Sequence, residues 1–196
     1  MTLLVLGLVL FLGVHSTRLF ADGWRTAMLA RLGAGGWKGL YAVVALAGFW
    51  LIVQGYAQAR MAPVDLWLPP LWTRHAAALL TWPAFILLVA AYVPRNHLKS
   101  AIGHPMLAGT KLWALAHLLS NGRLADLALF GAFLVWAVAL FIVSRRRDRA
   151  AGVAPATPSA ARTAIVAVAG TLIWAAFAFQ LHAMLIGVAP FARAVS

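Results

Sequence analysis

The sequence contains no cysteine and no glutamate, and it has only four acidic residues. The absence of cysteine excludes disulfides, a thiolate nucleophile and cysteine-ligated zinc or iron–sulfur clusters. Charged residues of both signs make up 10% of the chain, whereas a soluble domain carries about a quarter. Any metal chemistry therefore depends on the six histidines, assisted at most by the four aspartates.

Apolar residues dominate what is present: 64% of the 196 residues are hydrophobic, and the mean hydropathy is +0.89. This surplus exceeds what one soluble core can bury, and six apolar stretches approach the ~20 residues that span a bilayer. We predict an all-α fold, a polytopic integral membrane bundle of about six transmembrane helices. It should form a single domain over 1–196, with a flexible loop 145–162 before the last helix. The stretches are 2–17, 39–56, 76–93, 102–119, 125–143 and 163–187.

The distribution of basic residues predicts the topology. Eleven of the 16 lysines and arginines lie in the first, third and fifth loops, five of them in the loop after 143. Cytoplasmic loops are enriched in Lys and Arg, so six crossings place those loops inside and both termini outside the cytoplasm. The same bias explains the net charge of +12 without nucleic acid, because no basic amphipathic face accompanies it. The cations assigned to the outside are Arg60, Arg74, Arg123 and Arg193.

Four histidines lie within apolar stretches, where hydrocarbon does not solvate imidazole. Each could have a structural role, for example bonding to a nearby carbonyl or capping a helix, but four in one small bundle favour a cofactor. His104 and Lys111 fall about 20° apart on one helix face, and His117 about 140° from His104. Lys111 needs a partner in the protein interior, such as a haem propionate, an aspartate or carbonyl groups. The four histidines are His15, His104, His117 and His182.

Haem is the cofactor that this composition favours. Its iron can take two axial imidazoles with no other side chain, whereas zinc and di-iron sites would lack the usual cysteine or glutamate ligands. The predicted depths in the membrane favour the pair His15 with His104, or the pair His117 with His182. Two ligands of one iron must bring their nitrogens within about 4 Å, and His15 is predicted near the inner side but His117 near the outer side.

Several motifs together resemble the NnrU family over nearly the whole chain. They are GVHSTRLF (13–20), GGWKGLYAVVALAGFWLIVQGY (35–56), PRNHLK (94–99) and HPMLAGTKLWALAHLLSNGRLADLALFGAFLVWA (104–137). The resemblance implies a bacterial inner-membrane protein associated with nitrite and nitric oxide reduction. The family is also similar to the 15-cis-zeta-carotene isomerase, a haem-b membrane enzyme.

In that isomerase, the histidines that match His15 and His117 are the proposed haem ligands, so the resemblance implies this pair as the metal ligands here. His104 and Lys111 are further candidate cofactor-binding residues. The isomerase also has a cysteine where this chain has Ala114, so a cysteine-based ligand switch is excluded. The resemblance implies a haem-b-binding accessory protein or sensor in nitrite and nitric oxide metabolism.

Two further functions remain open. One is a haem-dependent cis–trans isomerase acting on a lipophilic polyene, which would add a lipophilic small molecule to the lipid bilayer as a partner. The other is a cofactor-free membrane scaffold. The HPxxxG pattern at 104–109 is also similar to membrane methyltransferases, but those have Arg before the His-Pro and a distal acidic pair. This chain has Gly103 and no adjacent acids.

Overall fold

The computed structural model describes residues 1–191; Arg193 and the C-terminus, which the charge pattern assigns to the outside, lie beyond them. The described chain is helical, apart from loops and one isolated antiparallel bridge between Asp65 and Arg123. The helices are α1 (Thr2–His15), α2 (Thr17–Phe20), α3 (Asp22–Met61), α4 (Trp72–Tyr92), α5 (His97–Ile102), α6 (Pro105–Ser120), α7 (Leu124–Ala150), α8 (Ala160–Ala176) and α9 (His182–Ile186), with a π-helical segment (Phe177–Leu181) between the last two.

The prediction of an all-α membrane bundle is confirmed. Four described helical segments are long and apolar enough to cross a bilayer: Asp22–Met61, Trp72–Tyr92, Leu124–Ala150 and Ala160–Ile186. The first and fourth predicted stretches form α1 and α6, with 14 and 16 residues. At 1.5 Å per residue these reach only about 21 and 24 Å, against a hydrocarbon core of about 30 Å. The predicted count of six spans thus stays a prediction.

The loop predicted over 145–162 differs from the structure at both ends. Helix α7 continues to Ala150, so Arg145–Arg149 are helical; cations in a last turn are favoured by the helix dipole. The remaining connector is hydrogen-bonded to residues 95–100, and its flexibility stays a prediction. The Ser159 N–H donates to the Arg95 carbonyl at 2.8 Å, and the Ser100 hydroxyl donates to the Ala156 carbonyl at 2.8 Å.

The chain divides into two compact units, which we describe separately. The first comprises Met1–Trp67 and Gly122–Trp136. In it, α1 and α3 pack backbone to backbone through three glycines: a Cβ on Gly7 would lie 2.5 Å from the Ile52 nitrogen, and one on Gly48 would lie 2.7 Å from the Phe11 nitrogen. A Cβ on Gly55 would overlap the Leu4 backbone. Small residues permit this close approach where lipid provides no hydrophobic drive for helix association.

Helix α3 is kinked at Gly33, which has φ 68° and ψ 171°. This region of backbone conformation is essentially restricted to glycine. The predicted loop before residue 39 is therefore mostly helical, as α2 and the first part of α3. The kink positions the early part of α3 beside its own later turns, where Trp24 and Trp37 meet edge to face at 5.7 Å between ring centroids.

The second unit comprises Leu68–Asn121 and Ala137–Ser196, of which residues up to 191 are described. Its centre is α4, which packs on α6 and α8. A Cβ on Gly170 would lie 2.6 Å from the Ile86 Cα, so α8 approaches α4 as closely as its backbone allows. Two indoles also cross this contact in opposite directions. Trp82 donates to the Thr171 hydroxyl at 2.9 Å, and Trp174 donates to the Thr81 hydroxyl at 3.1 Å.

Candidate functional site

His15 lies in the last turn of α1, and its ring is set by a backbone bond. Its Nδ1 donates to the Phe11 carbonyl, one turn earlier, at 2.6 Å. A carbonyl oxygen only accepts, so Nδ1 carries the proton and the neutral ring keeps its lone pair on Nε2. This is the arrangement of a metal-ligating histidine, in which the non-ligating nitrogen donates to a carbonyl or carboxylate.

Aromatic rings surround the His15 imidazole within the first unit. The Phe11 ring lies 4.2 Å away between centroids, Tyr41 lies at 5.2 Å, and Trp136 of α7 lies edge-on at 6.1 Å. Tyr41 follows Trp37 by four residues, so both project from one face of α3. These rings keep His15 in an apolar setting with a defined orientation.

A cavity of ≈ 540 Å³ opens beside this ring, and we call it the His15 cavity. Its residues come from α1, α2 and both sides of the Gly33 kink, and the charged ones among them are cations. They are His15, Thr17, Arg18, Arg25, Leu29, Ala34, Trp37, Lys38 and Tyr41. The cavity thus combines a ligand-type nitrogen, an aromatic wall and positive charge.

A second depression of ≈ 340 Å³, the apolar groove, adjoins the His15 cavity. The two share Thr17, Trp37 and Tyr41. The groove is otherwise apolar and runs between α1 and α3. It is lined by Val9, Leu10, Gly13, Val14, Thr17, Trp24, Trp37, Leu40, Tyr41 and Val44.

Trp136 contributes a buried polar atom without a partner. Its indole nitrogen is inaccessible to solvent and makes no hydrogen bond. Buried donors are nearly always satisfied, so an orphan donor calls for an explanation such as a ligand. It belongs to a ring that packs edge-on against His15. Trp136 does not itself line the cavity, but the His15 tautomer and the lining cations fit a group that combines a metal, an apolar ring and carboxylates.

His117 repeats the local geometry of His15, but in the second unit. Its Nδ1 donates to the Trp113 carbonyl at 2.8 Å, also one turn earlier. The Trp113 ring lies 5.2 Å from it between centroids. The two histidines that the resemblance implies therefore share one tautomer, with Nε2 carrying the lone pair in the neutral ring. They belong to different units, and their pairing on one iron stays a prediction.

His104 is held by an acid that sequence reasoning did not connect with it. Its Nε2 donates to the Asp148 carboxylate at 2.9 Å. The predicted capping role is not seen as a side-chain bond, although His104 does occupy the position before α6. Gly103 has φ 78°, and a Cβ there would lie 2.7 Å from an Arg145 nitrogen. His104 and Asp148 are 44 positions apart in the sequence, so no local pattern signals this pair.

Lys111 extends over an aromatic ring. Its ammonium nitrogen lies 3.7 Å from the centroid of the Phe141 ring, within the range of a cation–π interaction. The His104 ring is nearly perpendicular to the same ring, at 6.3 Å between centroids. His104 and Lys111 thus both contact Phe141, although His104 precedes α6 and does not lie on its face.

Two further histidines, His97 and His182, have partners outside these arrangements. His182 donates from Nδ1 to the Val188 carbonyl at 2.6 Å, directly after the π-helical segment. His97 bonds to the Thr163 hydroxyl through both its backbone nitrogen, at 3.0 Å, and its ring, at 2.8 Å. Within residues 1–191, no three histidine or acidic side chains converge as a metal site would require. Two-histidine haem ligation requires no such group.

Sequence reasoning missed most of the His15 surroundings. Trp37, Tyr41 and Trp136 were noticed only as parts of longer motifs, yet they form the wall around the imidazole. The spacing of Trp37 and Tyr41 by four residues was a usable signal. The role of Trp136 depends on a contact across more than a hundred residues, which no local pattern encodes.

An all-helical chain with four membrane-length apolar helices is a polytopic membrane protein, and this one carries a histidine cavity in its first unit. The chain belongs to the NnrU family. The sequence profile of that family, described as NnrU protein, matches residues 3–190. Comparisons with curated proteins and with solved structures found no match.

Proposed function

We propose that this protein binds haem b in the bacterial inner membrane and acts as an accessory protein or sensor in nitrite and nitric oxide metabolism. The observation that carries the proposal is His15. It presents a ligand-type Nε2 beside a cavity with aromatic walls and three cations. Membership of the NnrU family supports the physiological setting. The proposed topology keeps both termini outside the cytoplasm.

The residues of this chain would divide the work of binding. His15 and His117 would supply the axial imidazoles, with His104 and His182 as alternatives. Lys111 would interact with the carboxylates of the haem, and the Trp136 indole would donate a hydrogen bond. When bound, haem iron would supply one-electron redox chemistry, and it would take a small gaseous ligand where that ligand displaces one of the two imidazoles. The aromatic side chains would limit the access of water to it.

Absorption spectra of the purified protein test the haem assignment. Protein expressed with adequate haem supply should show a Soret band of low-spin type. His15→Ala and His117→Ala should each abolish or shift the band, because apolar neighbours cannot replace an imidazole ligand. His97→Ala is the matched control, since its ring bonds to Thr163 instead. If only His104→Ala or His182→Ala alters the spectrum, the ligand pair is different; if no haem binds, the proposal is wrong.

Nitric oxide tests the sensing role separately. Addition of nitric oxide to the reduced, haem-loaded protein should shift the Soret band, because a sensor must bind the gas at iron. A haem-loaded protein whose spectrum ignores nitric oxide would keep the haem assignment but contradict the sensing role.

The apolar groove favours a second candidate function. A groove of ≈ 340 Å³ that adjoins the His15 cavity could accept a lipophilic chain, as a haem-dependent isomerase of a polyene would need. Haem-loaded protein incubated with a cis-polyene should then convert it to the trans isomer, detected by chromatography. No conversion by a protein with an intact Soret band would contradict this alternative.

A further inference from the structure

We propose that the His15 cavity and the apolar groove together bind an anionic membrane lipid. Its phosphate would lie at Arg25 and Lys38, and one acyl chain would lie in the groove. This goes beyond the proposed function and does not depend on haem. It rests on the charge of the cavity, the continuity of the two depressions and the depth at which they open.

The charge of the cavity selects an anion. Its charged lining residues are Arg18, Arg25 and Lys38, and none of the lining residues is acidic. Asp22 lies 3.9 Å from Arg25, but it is half exposed and outside the cavity. Three cations against this one carboxylate leave the surroundings of the cavity with a net positive charge. A basic pocket between membrane helices is a known type of site for lipid phosphates.

The groove provides for the apolar part of the same ligand. It shares three residues with the cavity, so a head group in the cavity leads directly into the groove. Val9 and Leu40 on its rim are 64% and 45% exposed. Such apolar surface on a membrane protein faces the bilayer. An acyl chain in the groove would therefore contact the protein on one side and hydrocarbon on the other.

The depth that the charge pattern predicts for the site matches the head groups of the cytoplasmic leaflet. Arg18, Arg25 and Lys38 belong to the first predicted cytoplasmic loop, where lysines and arginines meet anionic lipids. Trp24 and Trp37 line the groove beside them, and tryptophan concentrates at the membrane–water interface. Haem also joins carboxylates to an apolar ring. We commit to a lipid because apolar side chains such as Val9 and Leu40 line the groove while staying exposed, which suits a flexible chain lying against hydrocarbon better than a rigid ring.

Native mass spectrometry of the haem-free protein, titrated with phosphatidylglycerol, tests the proposal. Each cation near a lipid phosphate contributes about fivefold in affinity. Arg25→Gln with Lys38→Gln should therefore weaken binding by about 25-fold. The control with the same change in net charge is Arg31→Gln with Arg74→Gln, since neither arginine lines the cavity. It should stay within about twofold of the wild type, and phosphatidylcholine should bind as weakly as phosphatidylglycerol does to the cavity variant.

A groove variant provides an independent measurement. A Cβ at Gly13 would meet no atom within 4 Å, so Gly13→Leu fills the groove without disturbing the packing of α1. It should weaken lipid binding, whereas Gly13→Ala should not. Equal losses in the cavity and control variants, equal binding of phosphatidylcholine, or normal binding to Gly13→Leu would each overturn the proposal.

Haem and the lipid are both amphiphilic anions, and a competition experiment distinguishes which of them the cations of the His15 cavity bind. If haem displaces the lipid, and the cavity variant lowers haem affinity by the same factor, the cations serve haem and the lipid assignment is wrong. If the cavity variant binds haem as the wild type does, the cations serve the lipid. The haem proposal is judged by its own Soret band, so failure of either proposal leaves the other distinguishable.

Discussion

At the scale of single residues, the polar side chains of this chain are satisfied mostly by backbone. Asn96, fully buried, donates to the Ala90 and Val93 carbonyls and accepts from the Lys99 N–H. His15 and His117 each donate to a carbonyl one turn earlier. These bonds orient polar groups without a second charged side chain, which suits a medium where an unpaired polar group is costly. Asp126, also buried, accepts from both kinds of group: the Tyr56 hydroxyl and, at 3.3 Å, the Arg123 backbone N–H.

The first residue-scale prediction concerns Gly55. Gly55→Ala should destabilise the protein by about 1–3 kcal/mol, because a Cβ there forces α1 and α3 apart. The free energy of unfolding in detergent measures the effect. Gly131→Ala is the control, since its Cβ would lie 4.0 Å from Leu127 in ordinary contact. Equal stability of the two variants would show that α1 and α3 do not pack through Gly55.

The second residue-scale prediction concerns the interaction between the Lys111 ammonium and the Phe141 ring. A double-mutant cycle with Lys111→Met and Phe141→Leu should give a coupling energy of about 0.5–2 kcal/mol, the range for a cation over an aromatic ring. The two substitutions conserve apolar volume, so the cycle isolates the interaction between ammonium and ring. Insertion into the membrane should be unaffected by Lys111→Met. A coupling near zero would mean that the ammonium is stabilised elsewhere.

At the scale of helices, interruptions decide where the functional groups lie. The Gly33 kink brings Arg25 and Lys38 of one helix to the same cavity. The break at Gly103 frees His104 from helical geometry, and its imidazole contacts Asp148. The π-helical segment precedes His182; such segments occur often at functional sites.

The prediction at the scale of helices concerns the kink of α3 at Gly33. Gly33→Ala should cost about 1–3 kcal/mol, because alanine does not tolerate this backbone conformation although space is free around it. Gly35→Ala, two residues further along the helix, should instead be neutral or stabilising by up to about 1 kcal/mol. Thermal unfolding of both variants provides the comparison. A stable Gly33→Ala protein would mean that α3 can run straight.

Hydropathy predicted the spans at 76–93 and 125–143 well, because each consists of a continuous apolar helix. It did not predict the kink, since Gly33, Gly35 and Gly36 are alike in sequence and tertiary packing decides which one bends. Of the residues around the His15 cavity, the sequence predicted only the histidine. Its walls and the His104–Asp148 pair depend on contacts between distant segments, which helical periodicity does not contain.

At the scale of the whole molecule, topology remains the property that the charge pattern alone predicts. A reporter fused after Arg149 should be cytoplasmic, because cytoplasmic loops are enriched in Lys and Arg. Five arginines lie between the apolar part of α7 and the last predicted span: Arg145, Arg146, Arg147, Arg149 and Arg162. A reporter after Gly122 should be outside if α6 crosses the membrane. Because α7 is long enough to cross the membrane, the reporters after Gly122 and after Arg149 should lie on opposite sides. A reporter after Val93 on the same side as one after Gly122 would contradict a crossing by α6.

The reciprocal indole bonds between α4 and α8 have a consequence for the time course of synthesis. Trp174 follows its partner Thr81 by 93 residues. At about 5–20 residues per second, translation separates the two by roughly 5–20 s. Helix α6, which packs closely on α4 through Gly109, is synthesised much earlier. The nascent chain should therefore pair α4 with α6 first. For several seconds after that, the Trp82 indole lacks its hydrogen-bond acceptor, because Thr171 has not yet been synthesised.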